Sequence, residues 1–133
     1  MKKLLLILLL IPRVNYAQEL ELVINQSHFD TILCVKYAPN GKYFATGAKD
    51  KTIKLWDIQT GHLIRTFKGH DGAVNDIVFN SSTTQLISAD SKGFVKKWEL
   101  TSGKEVSSFQ ASSLSINAAS KLTFEGRIAS CAS

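Results

Sequence analysis

Sliding the chain along itself by 42 residues brings it into an ungapped register with itself, and that repeat decides the architecture before any single motif is weighed. His28 falls on His70, Ile32 on Val74, Val35 on Ile77 and Tyr37 on Phe79. Further along, Phe44 meets Leu86, Thr46 meets Ser88, Ile53 meets Val95 and Trp56 meets Trp98. Asp57 then meets Glu99, Thr60 meets Ser102, Gly61 meets Gly103 and Phe67 meets Phe109. Both tryptophans and two of the three histidines take part, so the rarest residue types are the ones that align. A second shift of 42 places Ile128, Ala129 and Ser130 on Leu86, Ile87 and Ser88. Ser112 then stands for the histidine and Lys121 for the aromatic. The third copy is therefore degenerate and partial, and its first half fits equally well a residue or two out of register.

Each copy reads as four short strands. Copy one gives 32–37, 43–47, 52–57 and 62–67, with turns at Pro39-Asn40-Gly41-Lys42, Ala48 to Lys51 and Gln59-Thr60-Gly61. Copy two gives 74–79, 85–89, 94–99 and 104–109. Mixed apolar runs in place of clean alternation indicate sheets covered on both faces. Four-stranded antiparallel sheets packed face to face about an axis are propeller blades, so the fold class is an all-β propeller, incomplete at about 2.8 repeats.

The residues that carry the repeat resemble the WD-repeat β-propeller family. Gly69-His70 opens copy two, Leu55-Trp56-Asp57 closes the third strand of copy one, and Thr46 to Leu55 (TGAKDKTIKL) lies close to the family pattern. The organisation that follows is repeat 1 at 28–69, repeat 2 at 70–111 and a partial repeat 3 at 112–133. Residues 19–27 hold a strand of the fourth type, which in this family completes the last blade and closes the ring. Copy one departs in opening with Ser27-His28. Copy two departs with Lys92 in the place of Asp50, Lys97 in the place of Leu55, and Trp98-Glu99. These changes weaken the polar network of blade two unless Asp90 substitutes from two positions earlier.

His28, Thr46, Asp50 and Trp56, with His70, Ser88 and Trp98, invite a catalytic reading. The resemblance implies instead one chain of hydrogen bonds inside each blade. A buried indole N–H and a buried hydroxyl must be paired, and a fold staple recurs per blade where an active site is needed once. No catalytic, cofactor-binding or metal-ligating residue is therefore assigned. The three histidines have no metal-ligand spacing, and Gly41 to Lys49 misses a phosphate loop. Cys34 and Cys131 stand at non-equivalent positions and are expected as two free buried thiols. Lys49, Lys51, Lys54, Lys96 and Lys97 read as solvated strand edges, and His62 as a solvated strand residue. Asn25-Gln26-Ser27 and Asn80-Ser81-Ser82 match the glycosylation sequon.

Charge bears on partners only after the N-terminus is read. Met1-Lys2-Lys3, a Leu/Ile run from Leu4 to Ile11, Pro12, and a polar stretch ending at Ala17 have the layout of a secretory signal peptide. The run is far below the roughly 20 residues of a membrane span; the alternatives are a buried strand or an uncleaved anchor. Cleavage after Ala17 leaves residues 18–133, exported to the periplasm or medium, with 13 basic against 11 acidic side chains. A charge of +2 without a basic stripe argues against nucleic acid.

The resemblance implies a non-enzymatic scaffold that binds proteins through loops at one end of the blades, here Phe29, Asp30, Asp71 and Gly72 with the turn residues Lys49 and Ser91. The alternative is the sensing propeller of a larger secreted hydrolase whose catalytic domain lies outside this chain. Propellers close with about 4–8 blades. The missing blades are expected from a longer protein, or from self-association through open blade edges.

Overall fold

The computed structural model describes residues 27–111, 115–119 and 130–132. The leader and the ring-closing strand expected before Ser27 lie outside these residues. Three antiparallel sheets are present: β1 (Ile32–Tyr37), β2 (Tyr43–Ala48), β3 (Ile53–Asp57) and β4 (Leu63–Phe67) in that order, β5 (Val74–Phe79), β6 (Gln85–Asp90), β7 (Phe94–Glu99) and β8 (Glu105–Gln110) in that order, and the pair β9 (Ile116–Ala119) with β10 (Ser130–Ala132). The fold is all-β, with no helix among the described residues.

The repeat extends to backbone detail. In the first sheet the register slips between Ile32 and Cys34 and again between Leu55 and Trp56. In the second it slips 42 residues on, between Val74 and Asp76 and between Lys97 and Trp98. The β9–β10 ladder pairs Ser130 with Ala119, Cys131 with Ala118 and Ala132 with Ile116. Each of these partners lies 42 residues beyond a β5–β6 pair, Ser88 with Ile77, Ala89 with Asp76 and Asp90 with Val74. A bulge bends a strand and re-aims its side chains, so its recurrence gives every blade the same twist.

The turns have local causes. Gly61 and Gly103 take φ of +72° and +73°, and their N–H groups close on the carbonyls of Asp57 and Glu99 at 2.9 Å. The second hairpin turn of each blade also needs a left-handed residue. Blade two has Gly93 there, at φ +84°, where blade one has Lys51 at +68°.

The main core lies between the two complete blades. Ala45, Ile53, Leu55 and Phe67 of the first meet Val74, Ile77, Phe79, Leu86 and Trp98 of the second. Phe67 packs edge-on against Trp98, with centroids 5.7 Å apart. Ile87, Ala89 and Val95 form a smaller cluster, joined by Val78. Polar contacts tie the blades at their margins. Lys36 reaches Asp76 at 3.6 Å, and the Arg65 guanidinium donates to the carbonyls of Thr101 and Ser102 at 2.7 and 3.0 Å.

Several expectations need correcting. Lys54 is buried rather than solvated, and its ammonium donates to Thr66 Oγ1 at 3.0 Å; burial pushes its pKa down. Lys96 and Lys97 are only half exposed, and Lys96 pairs with Glu105 at 2.9 Å. Cys34 is free but half-buried, and burial pushes its thiol up to about 11. The side chain of Cys131 lies outside what is described. Asn80 is unfit as a glycan acceptor, because it is buried with its amide donating to Ser82 and Thr84 and its carbonyl capping two backbone N–H groups. Asn25 lies outside the described residues. His62 is exposed, one residue before β4.

Candidate functional site

Two hydrogen-bonded chains, one per blade, contain the residues that most resemble chemistry. In blade two the carboxylate of Asp90 accepts from His70 Nδ1 at 2.8 Å, His70 Nε2 accepts from the Ser88 hydroxyl at 2.6 Å, and Trp98 Nε1 donates to Ser88 Oγ at 2.8 Å. In blade one His28 Nδ1 lies 2.8 Å from Asp50 Oδ2, His28 Nε2 lies 2.8 Å from Thr46 Oγ1, and Trp56 Nε1 donates to Thr46 Oγ1 at 2.9 Å. The histidine comes from the segment entering the blade, the hydroxyl from the second strand and the indole from the third. One network therefore pins three parts of the sheet together.

The carboxylates reach the same place by different routes. Asp50 sits in the turn after β2, while Asp90 is the last residue of β6 and stands in register with Ala48. Lys92 leaves the strict counterpart of Asp50 without a carboxylate, and Asp90 fills the role from two positions earlier. Its other oxygen accepts from the backbone N–H groups of Lys92 and Phe94, each at 2.9 Å. In blade one Thr52 does comparable work, donating its hydroxyl and its N–H to Asp50 Oδ1 at 2.6 and 2.9 Å. Burial works against ionisation of Asp50. Hydrogen bonds from Thr52, His28 and the Phe29 N–H outweigh it and hold the carboxyl below its ordinary value. For His70 burial wins over the Asp90 partner and lowers the pKa, so the ring stays neutral near pH 7.

By distance alone, Ser88–His70–Asp90 has the hydrogen-bond order of a nucleophilic triad. Its surroundings rule out that use. Ser88 and Asp90 are fully buried and His70 nearly so. The serine oxygen is already engaged by the Trp98 indole, and its proton by His70. A nucleophile must reach a substrate carbon, and this one faces only its own blade. Satisfied in this way, the chain fixes sheet geometry.

The rim at the start of each first strand is the other place where the expected residues gather. Lys49 N–H donates to the Thr31 carbonyl and Ser91 N–H to the Ala73 carbonyl, each at 2.9 Å. The Phe29 N–H donates to Asp50 Oδ2 at 3.0 Å, so the staple also holds the rim loop. Phe29 is 87% exposed, and Asp30, Lys49 and Asp71 are exposed as well. Gly72 and Ser91 differ from expectation. Gly72 is buried and Ser91 half-buried, with Ser91 Oγ accepting from the Ala73 N–H at 3.0 Å. Both shape the loop, Gly72 by its burial and Ser91 by the hydrogen bond its hydroxyl accepts. A pocket of 340 Å³ opens at the opposite end of blade one, lined by Gly41, Lys42, Tyr43, Asp57, Ile58 and Gln59. Among the described residues no group of three or more His, Cys, Asp or Glu could hold a metal ion, and no helix is long and apolar enough to cross a membrane.

Two residues of these sites escape sequence reasoning. Thr52 was legible in principle, since Asp-x-Thr after a strand is a side-chain-capped turn. Arg65 was not, because its acceptors lie 36 and 37 residues away across a blade boundary.

Repeated four-stranded sheets, each closed by a His–hydroxyl–Trp chain with a carboxylate behind the ring, define a repeat β-propeller. The chain belongs to the WD40 family (WD domain, G-beta repeat), whose model matches residues 20–57 and 61–99. It is similar to a WD repeat domain-containing protein 83 homolog of Dictyostelium discoideum, 32% identical over 75% of this chain and 32% of that protein. It is also similar to the nuclear distribution protein PAC1 of Ajellomyces capsulatus, 41% identical over 59% of this chain and 18% of that protein. The target of rapamycin complex subunit wat1 of Schizosaccharomyces pombe is 28% identical over 65% of this chain and 27% of that protein. The chain thus spans about a third or less of the length of these relatives.

Proposed function

We propose that this chain is a non-enzymatic, exported scaffold that binds a protein partner through the rim bearing Phe29, Asp30, Lys49 and Asp71. The observation that carries this reading is the contrast between staple and rim. The two hydroxyl–imidazole–carboxylate sets, Thr46–His28–Asp50 and Ser88–His70–Asp90, are engaged inside their blades, while a phenylalanine and three charged side chains stand in solvent on loops tied to a rigid sheet. Loops held by a rigid scaffold are where binding concentrates, and an exposed aromatic flanked by charges is a common anchor in protein interfaces. Relatives named as a nuclear distribution protein and as a subunit of a complex are consistent with association rather than turnover.

The test is capture by the immobilised protein from the compartment into which it is exported. Phe29→Ala combined with Asp71→Ala is expected to lower capture of the specific partner at least tenfold with thermal unfolding unchanged. Undiminished capture overturns the rim as the binding face. Export rests on the Lys2-Lys3, Leu4–Ile11 and Ala17 layout. Intact mass of the isolated protein should show loss of residues 1–17, and retention of Met1 overturns it.

A further inference from the structure

The turn between β1 and β2 carries the one Asn-Gly pair in the sequence, Asn40-Gly41. Pro39 and Asn40 form its centre, and the Gly41 N–H closes it on the Ala38 carbonyl at 3.0 Å. Asn40 is exposed, and its Oδ1 accepts from the Lys42 N–H at 3.0 Å. That bond, from a side chain to the backbone two residues on, folds the amide back over the peptide joining Asn40 to Gly41. It also draws electrons from the Asn40 Cγ carbonyl. Gly41 puts no side chain in the way, and a Cβ there would meet nothing within 4 Å. An electrophilic carbon, an unhindered nitrogen one residue on and open solvent therefore meet in one turn.

Blade two supplies the comparison. Ser82-Thr83 stands 42 residues on, and Thr83 holds the left-handed conformation of Gly41, at φ +55° against +70°. Ser82 is exposed although blade one packs against β5, so solvent access at this turn position does not depend on a missing neighbour. Asn80 opens the second turn and also precedes a small residue, Ser81. It is buried, however, with its amide donating to Ser82 and Thr84 and its carbonyl accepting from the Thr84 and Gln85 N–H groups. We propose that Asn40 is a site of spontaneous deamidation. The Gly41 nitrogen bonds to Asn40 Cγ, the Cγ–Nδ2 bond breaks, and Nδ2 leaves as ammonia with the proton from Gly41. Water then opens the cyclic imide at either carbonyl, leaving aspartate or isoaspartate at position 40. The Gly41–Ala38 hydrogen bond resists loss of that proton, but it closes an exposed turn, where local opening costs little. Isoaspartate adds a methylene to the backbone between two further ties of the hairpin, Ala38 N–H to the Tyr43 carbonyl and Ile58 N–H to the Lys42 carbonyl, each at 2.9 Å.

The experiment follows the protein as isolated by peptide mass mapping during incubation at neutral pH, folded and, in parallel, unfolded in urea. The peptide spanning Asn40 should gain about 1 Da and resolve into two products of equal mass, aspartyl and isoaspartyl. In the folded protein Asn40 should convert about tenfold or more faster than Asn80, because reaction at Asn80 must wait for its hydrogen-bonded turn to open. Urea should narrow that gap. Gly41→Ala should slow conversion, but it also strains the turn. Ser82→Asn combined with Thr83→Gly therefore moves the pair into blade two, where it should create a second reactive site. An Asn40 that stays intact in the folded protein while converting in urea overturns the proposal. Equal rates at Asn40 and Asn80 in the folded protein, or a transplanted pair that does not react, overturn it as well.

Discussion

Asp90 accepts the His70 Nδ1 proton at 2.8 Å from a strand position two residues ahead of the place where Asp50 serves His28. The blade network constrains where the carboxylate oxygen is, and leaves open which backbone position delivers it. Four predictions test how these networks and the backbone around them hold the fold, and one measurement tests what they mean for function.

Removing the carboxylate strands a buried ring and two backbone donors. Asp90→Ala is expected to destabilise by about 1–3 kcal/mol for each buried donor it leaves unpaired. Adding Lys92→Asp places a carboxylate where blade one keeps Asp50, and should recover part of the loss. Urea unfolding of the single and double variants decides the matter; a double variant no better than Asp90→Ala would mean the position itself is required.

Acid should weaken the protein in two stages. The folded-state pKa of His70 is lowered by burial, so below the ordinary histidine value of about 6.5 the unfolded chain takes up a proton that the folded chain resists. Stability contributed by neutral His70 is therefore full above that value and lost as pH falls toward the folded pKa. Asp50 is also lowered and adds a second loss below the ordinary aspartate range, of about 3.9 and under. Unfolding temperature measured from pH 8 to pH 3 should fall on acidification, and His70→Gln should flatten the upper stage.

Gly47 and Gly41 separate close packing from backbone strain. A methyl on Gly47 meets Cys34 and Val74 at 2.7 Å, while one on Gly41 meets nothing within 4 Å but sits at φ +70°. Gly47→Ala should cost about 1–3 kcal/mol as overpacking, and adding Cys34→Ala should relieve part of it. Gly41→Ala should cost about 1–2 kcal/mol from the left-handed backbone, with no such rescue. Double-mutant cycles check both.

Lys51 holds a left-handed conformation in blade one that Gly93 holds without a side chain in blade two. Lys51→Gly should raise stability by about 0.5–1 kcal/mol, since relief of that strain exceeds glycine's extra entropy cost. Gly93→Lys should lower it. Equal and opposite shifts in the unfolding midpoint are not required, but opposite signs are.

Much of this was legible from the 42-residue register alone. The eight blade strands fall within a residue or two of their expected bounds because turn glycines and β-branched runs mark them locally. The blade networks were legible because His, Trp and a hydroxyl recur at fixed spacing. What stayed hidden depended on neighbours distant in sequence. Burial of Lys54 depends on Thr66 in the adjacent strand, and the clamp of Arg65 on carbonyls of the next blade. Gly72 reads as an exposed turn residue, yet a Cβ there would meet Ser91 Oγ at 2.7 Å. Exposure of β1 against burial of β5 is invisible to a repeat, which assigns both strands the same pattern.

The central claim is that the Ser88–His70–Asp90 set is a closed structural staple, and the exchange rate of the Trp98 indole proton tests it most directly. That proton is donated to Ser88 Oγ inside a fully buried chain, so indole N–H exchange followed by NMR at neutral pH should show it protected as strongly as the core backbone amides. An indole exchanging at the rate of free tryptophan would mean that the serine is open to solvent, and the non-catalytic reading would fail with it.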